Sequence, residues 1–348
     1  MKDEGKIKFG KRQTIFSIQD NQPCADHDRG EGEGVTTQEY TLVKLKMIKN
    51  IPEVLKKYSG RDIFLVAATL RPETMYGQTN CFILPSGDYG LYETKSNELY
   101  ICSQSSALNL SYQEQTKENR KSPKLETLKG KDLIGVGLKA PLTKYEKIYV
   151  LPMLTISMEK GTGIVTSVPS DAPDDWACLR DCRTDENLRK EYNISDYMVN
   201  FEPIPIIDIP ELGNLAASKL CDELDIKSHL EKDKLNDAKE KAYTKGFYSG
   251  KMIVEQYNGV KVSDAKLLVK QHLIDNNLAI NYYEPEKLVK NRTGDKCIVA
   301  LVDQWYLVYG EEEWKALVKN HMNTSFKTYN LPTCHVYTYF NLVSSRSA

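Results

Sequence analysis

The 348-residue chain has no long apolar run. Nothing in it approaches the roughly 20 consecutive apolar residues a membrane helix requires, and Met1-Lys2-Asp3-Glu4-Gly5 lacks the apolar segment of a signal peptide. Neither charge sign is in excess. With 47 Lys and Arg against 48 Asp and Glu the formal net charge is −1, which excludes a protein held to nucleic acid by a global basic field; any such contact must be a local patch. Eight cysteines occur without the paired spacing of a zinc site, and Cys178 and Cys182, one helical turn apart, read as reduced core thiols of a cytoplasmic chain. The Gly-x-x-x-x-Gly-Lys spacing at Gly5–Lys11 runs into Arg12 and not into the Ser or Thr of a phosphate-cradling loop, which argues against a nucleotide-binding enzyme of that kind. The remaining composition, 41% hydrophobic and 27% charged, allows one large domain or two with a sizeable core.

Two stretches stand out. In the first, Ile63-Phe64-Leu65-Val66-Ala67-Ala68 runs directly into Thr69-Leu70-Arg71-Pro72-Glu73-Thr74-Met75-Tyr76-Gly77, so a buried strand ends where hydroxyls begin. Pro72 drives Arg71 toward extended geometry and Gly77 permits a sharp turn, which predicts a rigid, non-helical ledge carrying Thr69, Arg71 and Thr74 at a pocket mouth. A strand end whose hydroxyls satisfy only their own turn has the same pattern. In the second, Gly161-Thr162-Gly163-Ile164-Val165-Thr166-Ser167-Val168 ends in Pro169, and Asp171, Asp174 and Asp175 open a helix through Trp176 and Arg180. Capping by Ser170 or Asp171, Pro173 in the first turn and a dipole that favours the other acids explain this group without chemistry. They do not explain its pairing with the ledge.

Along the rest of the chain, Asp26-His27-Asp28 followed by Arg29-Gly30-Glu31-Gly32 reads as a loop with local ion pairs. Gln38 to Lys49 alternates as a strand, and Cys81–Leu84, Leu99–Cys102 and Lys147–Leu151 are short strands, suggesting a compact barrel-like sheet. Residues 111–124 read as an exposed loop. From Trp176 to about Leu278 helical periodicity dominates, interrupted by an extended connector over Phe201–Pro210. Lys232, Lys234, Lys239, Lys241, Lys245 and Lys251, with Tyr243 and Phe247 among them, either touch a nucleic-acid backbone or form a solvated face paired with Glu231, Asp233, Asp237 and Glu240.

Ala67-Ala68-Thr69-Leu70-Arg71-Pro72-Glu73-Thr74-Met75-Tyr76-Gly77-Gln78-Thr79-Asn80-Cys81, together with residues 161–175, resembles the editing insertion of cytosolic, eukaryotic-type leucyl-tRNA synthetases, members of the class I synthetase family. Asp26–Arg29, Gln38–Thr41, Met153–Ile156 and Val302–Leu307 agree, and the likeness runs in order from about Lys8 to Trp314. Thr-Arg-Pro-Glu-Thr words also occur in the valyl editing insertion; the Ser-Asp-x-Pro-Asp-Asp and Asp-Gln-Trp-Tyr-Leu segments favour leucyl. The resemblance implies an α+β fold, a β-barrel-like editing core with peripheral helices, flanked by short remnants of the synthetase Rossmann domain. It implies a linker over 1–36, an editing domain over 37–290, a return segment over 291–315 and an unassigned tail over 316–348.

It also implies roles. Asp175 would bind the substrate ammonium with Asp174 in support and Asp171 as the cap; Thr74 would exclude leucine; Thr69 would hold the ribose or the water; Arg71 would shape the ledge and Val168 the pocket wall. The activity implied is hydrolysis of leucine tRNA mischarged with isoleucine, methionine, valine or a norvaline-like amino acid. No cofactor or metal is implied. The partners would be the 3′-terminal adenosine and aminoacyl group of leucine tRNA and the rest of the synthetase, with no membrane, in a cytoplasmic monomer. Neither His-x-Gly-His nor Lys-Met-Ser-Lys-Ser, which hold ATP in class I synthetases, occurs, so this chain alone should not charge tRNA. Alternatives are a tRNA-end binding module without turnover, or a valyl or isoleucyl editing domain.

Overall fold

A computed structural model describes Lys2, residues 5–308 and residues 311–324. The part of the unassigned tail beyond Thr324, including Cys334 and His335, lies outside the described residues. In chain order the strands are β1 (Ile7–Ser17), β2 (Gln22–Pro23), β3 (Arg29–Glu31), β4 (Thr37–Lys49), β5 (Ile63–Thr69), β6 (Asn80–Ile83), β7 (Asp88–Glu93), β8 (Leu99–Cys102), β9 (Lys124–Lys129), β10 (Gly137–Lys139), β11 (Ile148–Pro152), β12 (Ile164–Ser167), β13 (Ile207–Asp208), β14 (Lys251–Met252), β15 (Ala279–Pro285), β16 (Lys290–Asn291) and β17 (Ile298–Leu307). The helices are α1 (Gln104–Tyr112), α2 (Pro173–Thr184), α3 (Glu186–Glu191), α4 (Asp196–Val199), α5 (Ala216–Glu223), α6 (Lys232–Ser249), α7 (Val262–Asp275) and α8 (Glu312–Thr324). Two compact units result. One is Thr14–Ala300; the other comprises the described residues up to Gln13 and those between Leu301 and Thr324.

The larger unit is built on a ten-stranded mixed sheet, ordered β12-β6-β11-β10-β4-β5-β8-β7-β9, with β15 also pairing β4. The long strand β4 is its spine: Thr41–Lys46 pair with β5, Thr37–Val43 with β15 and Lys46–Lys49 with β10. The sheet curls until its end strand β12 lies against β5. Alternation then sorts the side chains by face. Val43, Leu45 and Met47 join Ile63, Leu65, Ala67, Leu99 and Ile101 in the interior cluster. Their neighbours Tyr40, Leu42, Phe64, Val66 and Tyr100 face the other way and are covered by Ala107 and Leu110 of α1 and by Tyr282 of β15. A third cluster seats Cys178, Leu179 and Cys182 of α2 on Phe82, Tyr149 and Leu151. Both thiols are free and buried, as read from their spacing, and each Sγ donates to the Pro152 carbonyl, at 3.4 and 3.7 Å. Among the described residues no helix is long and apolar enough to cross a membrane.

In the smaller unit, Phe9 meets Trp305 with ring centroids 5.2 Å apart, and the Arg12 guanidinium lies 3.8 Å from the Tyr306 ring centroid.

Most of the expected elements are present, with strands at Thr37–Lys49, Ile63–Thr69, Asn80–Ile83, Leu99–Cys102 and Ile148–Pro152. Two differ. Residues 111–124 are not wholly an exposed loop: Ser111 and Tyr112 belong to α1, and Ser111, Gln113 and Thr116 are buried. The reason is a backbone need elsewhere. Gln113 Nε2 donates to the Tyr283 carbonyl at 2.7 Å while the Tyr283 N–H donates back to Gln113 Oε1 at 3.0 Å. The ledge is not non-helical either. Pro72–Gly77 is a 3₁₀ turn, since proline is tolerated at its first position and only Arg71, at φ −127° and ψ 65°, needs the extended conformation.

Candidate functional site

Strand pairing brings the two sequence stretches together. Ser167, the last residue of β12, is the register partner of Asn80, the first of β6, and the Thr79 N–H donates to the Ser167 carbonyl at 3.1 Å. Because the strands are antiparallel, the chain entering β6 and the chain leaving β12 lie at one end of the sheet. The 3₁₀ turn and the acidic segment are therefore neighbours although about 100 residues separate them. Gly77 seals the contact: a Cβ there would stand 2.8 Å from Val168 Cγ1.

Within the turn, Thr69 Oγ1 accepts from the Arg71 N–H at 3.0 Å, and both the N–H and Oγ1 of Thr74 donate to the Arg71 carbonyl, at 3.1 and 2.8 Å. The main chain is thus locked around Arg71, with Thr74 and Val168 buried and Thr69 half-buried. The Arg71 guanidinium pairs with Asp171, lies 3.3 Å from Glu73 and sits 4.5 Å from the centroid of the Tyr243 ring on α6. Glu73 is 1% exposed, and burial holds its carboxyl above the usual range against the pull of Arg71.

The structure moves Asp171 out of its expected place. The N-cap of α2 is Ala172, with no side-chain cap, and Asp171 turns to Arg71 instead. A half-buried guanidinium beside a buried carboxylate needs that partner more than the turn needs a cap, because Pro173 already removes one of the free N–H groups of the first turn. Replacing Arg71 by Ala strands Asp171 and Glu73 in the interior. Breaking such a pair costs about 3–5 kcal/mol, so the variant is expected to lose stability on that scale in urea titration, with Asp171→Asn in the same background recovering part of it.

Asp175 is also not the exposed first-turn acid its position suggested. It is 6% exposed, and its Oδ2 accepts from the Val168 N–H at 2.7 Å. Burial pushes its pKa up to about 8; the Val168 hydrogen bond opposes this, Asp174 adds to it, Lys239 opposes it and Asp171 adds to it. Asp174 is half-buried and ion-paired with Lys239 of α6. Nearby on the strand ends, Asn80 Nδ2, Ser167 Oγ and Ser170 Oγ are buried without a hydrogen-bond partner. Glu73, Lys239 and Tyr243 complete a constellation that motif reading missed. Lys239 and Tyr243 were visible only as members of a basic, aromatic helix, and nothing in the spacing tied them to acids some 65 residues earlier. No group of three or more His, Cys, Asp or Glu among the described residues is arranged to hold a metal.

No family model matches the chain. It is 54% identical over 316 residues to the cytoplasmic leucine–tRNA ligase of Pongo abelii and 51% identical over 319 residues to that of Arabidopsis thaliana. These alignments cover 90 and 92% of this chain but 27 and 29% of those proteins, so the chain spans under a third of their length. Among solved structures, GlLeuRS-CP1 is 37% identical with a TM-score of 0.66, and the match covers 70% of this chain and 99% of that one. The editing domain of the P. knowlesi cytosolic leucyl-tRNA synthetase is 30% identical with a TM-score of 0.66, covering 71% of this chain and 97% of that one.

The chain belongs to the leucyl-tRNA synthetase editing domains.

That membership settles the choice among class I editing insertions in favour of leucyl, and it accounts for the mixed sheet with helices packed around it. The end of the sheet where β6 begins and β12 stops offers hydroxyls, a buried carboxyl and unmet polar atoms within one small region.

Proposed function

We propose that this domain hydrolyses the ester of leucine tRNA carrying isoleucine, methionine, valine or a norvaline-like amino acid, and rejects leucine. The observation that carries the reading is the junction of the Thr69–Thr74 turn with Asp175 at one end of the sheet, where the buried carboxylate is held by a single backbone N–H from Val168. An ionised carboxylate so placed is a receptor for an ammonium group. When the substrate's α-ammonium arrives, its charge favours the ionised form of Asp175 that burial alone disfavours. Asp174 supports it, Thr69 and the polar strand-end atoms hold the terminal ribose or the water, and Val168 forms wall. Thr74, locked by its two hydrogen bonds to Arg71, presents a branched side chain against the amino-acid side chain.

In the reaction, water adds to the ester carbonyl, the carbon–oxygen bond to the ribose breaks, and free amino acid and the tRNA hydroxyl leave. Positioning of water and ester supplies the acceleration. Such a second site is needed because an apolar pocket separates side chains one methylene apart by only roughly 10–200-fold. The partners are leucine tRNA and the remainder of a cytoplasmic synthetase, in keeping with the names of the relatives.

The test is deacylation by the purified chain of leucine tRNA esterified with isoleucine or with leucine. Selective loss of the isoleucyl ester is the expected result. Binding of the tRNA end with no turnover would instead make the domain a holding module.

A further inference from the structure

One helix, α6, touches both halves of the site. Lys239 and Tyr243, one turn apart on the same face, reach Asp174 and Arg71 respectively, and Gly246, the next residue on that face, leaves Arg71 Nη2 3.9 Å from where its Cβ would stand. The face is buried around them through Leu235, Ala238 and Ala242. The helix is thus fastened over the acids by a cation on one side and an aromatic ring on the other. Lys239 and Asp174 keep 33 and 27% of their side-chain surface, so the pair sits at the mouth of the site and not in the core.

We propose that Lys239 is a positioning residue for the editing reaction: it holds Asp174 from α6 and governs how readily Asp175 carries the charge that receives the substrate ammonium. The inference rests on the assignment of Asp175 as the ammonium receptor. Asp174 on its own helix, Asp171 on the preceding segment and Lys239 on α6 act electrostatically on Asp175, and Asp175 in turn acts on Cys178 of its own helix and Tyr243 of α6. Lys239 is a cation that acts on Asp175 from α6. Without it Asp174 bears an uncompensated charge against its neighbour. Both consequences, loss of a cation and exposure of an anion, disfavour ionised Asp175, so they add.

The experiment measures kcat and KM for isoleucyl-tRNA deacylation from pH 6 to 9 with the wild-type chain, Lys239→Met and Lys239→Arg. Activity requires Asp175 ionised and the substrate amine protonated, so the kcat/KM profile is bell-shaped, its acidic limb belonging to the protein and its alkaline limb to the substrate. In Lys239→Met the acidic limb is expected to move up by about one pH unit, which lowers kcat/KM at pH 7 about tenfold, mostly through KM. The alkaline limb should stay in place, and Lys239→Arg should restore the wild-type profile. A uniform fall at every pH, or coincident profiles, would overturn the proposal.

A carbon-13 titration of labelled aspartates, with Asp175→Asn identifying the Asp175 signal, reads the same effect without turnover. Its midpoint should rise in Lys239→Met, and an unmoved midpoint counts against Lys239. Absence of deacylation by the wild type, or full activity in Asp175→Asn, would instead remove the ammonium-receptor reading itself.

Discussion

Asp175→Asn is expected to lose isoleucyl-tRNA hydrolysis by about 100-fold or more while the domain stays folded, because a neutral amide keeps the acceptor for the Val168 N–H but cannot bind an ammonium by charge. Asparagine is the informative substitution. Alanine would leave the Val168 N–H without its partner in a buried place, mixing a folding defect with a catalytic one. The same variant has a stability signature. A carboxyl whose folded-state pKa, about 8, lies above its ordinary 3.8 binds its proton more tightly when folded. Its contribution is therefore fully present below about pH 4 and is lost as pH rises to about 8. Wild type should weaken across that window, by on the order of a few kcal/mol, relative to Asp175→Asn. Thermal melts of both proteins at pH 5 and pH 8 check this: the variant should gain on wild type at the higher pH. A variant that melts at every pH would make Asp175 a structural residue and nothing more.

Thr74→Ala is expected to admit leucine, raising hydrolysis of leucyl-tRNA by roughly 10–200-fold with isoleucyl-tRNA hydrolysis little changed. Thr74 is buried, and its main-chain position does not depend on its hydroxyl alone, since its N–H also donates to the Arg71 carbonyl. Truncation should enlarge the pocket without releasing the turn. Thr74→Val separates size from hydrogen bonding: it keeps the branch, so leucine should remain excluded, at the cost of one hydrogen bond to Arg71. If Thr74→Ala rejects leucine as well as wild type does, another side chain sets the limit.

Strands at Ile63–Thr69 and Ile148–Pro152, the extended connector before β13 and the buried thiols of α2 all follow from local pattern. Period-2 apolar runs and one-turn spacings are properties of neighbouring residues, and burial needs no more than that. The motif around Thr74 and Asp175 was likewise open to reading, because both segments carry their residue types in a short, distinctive order. The partners of those residues were not. Asp171 in the first-turn region looks like a cap until Arg71, a hundred residues earlier, is brought to it by the β6–β12 pairing. Asp175 looks like a solvated first-turn acid until the sheet end and α6 cover it. Lys239 looks like one lysine among five on a charged helix until that helix is laid across Asp174. In each case the side chain's charge state and partner depend on which distant element excludes water from it. Local order sets which chemical groups are present and which elements carry them; long-range packing sets their dielectric surroundings, and so whether a carboxyl serves as cap, counter-ion or receptor.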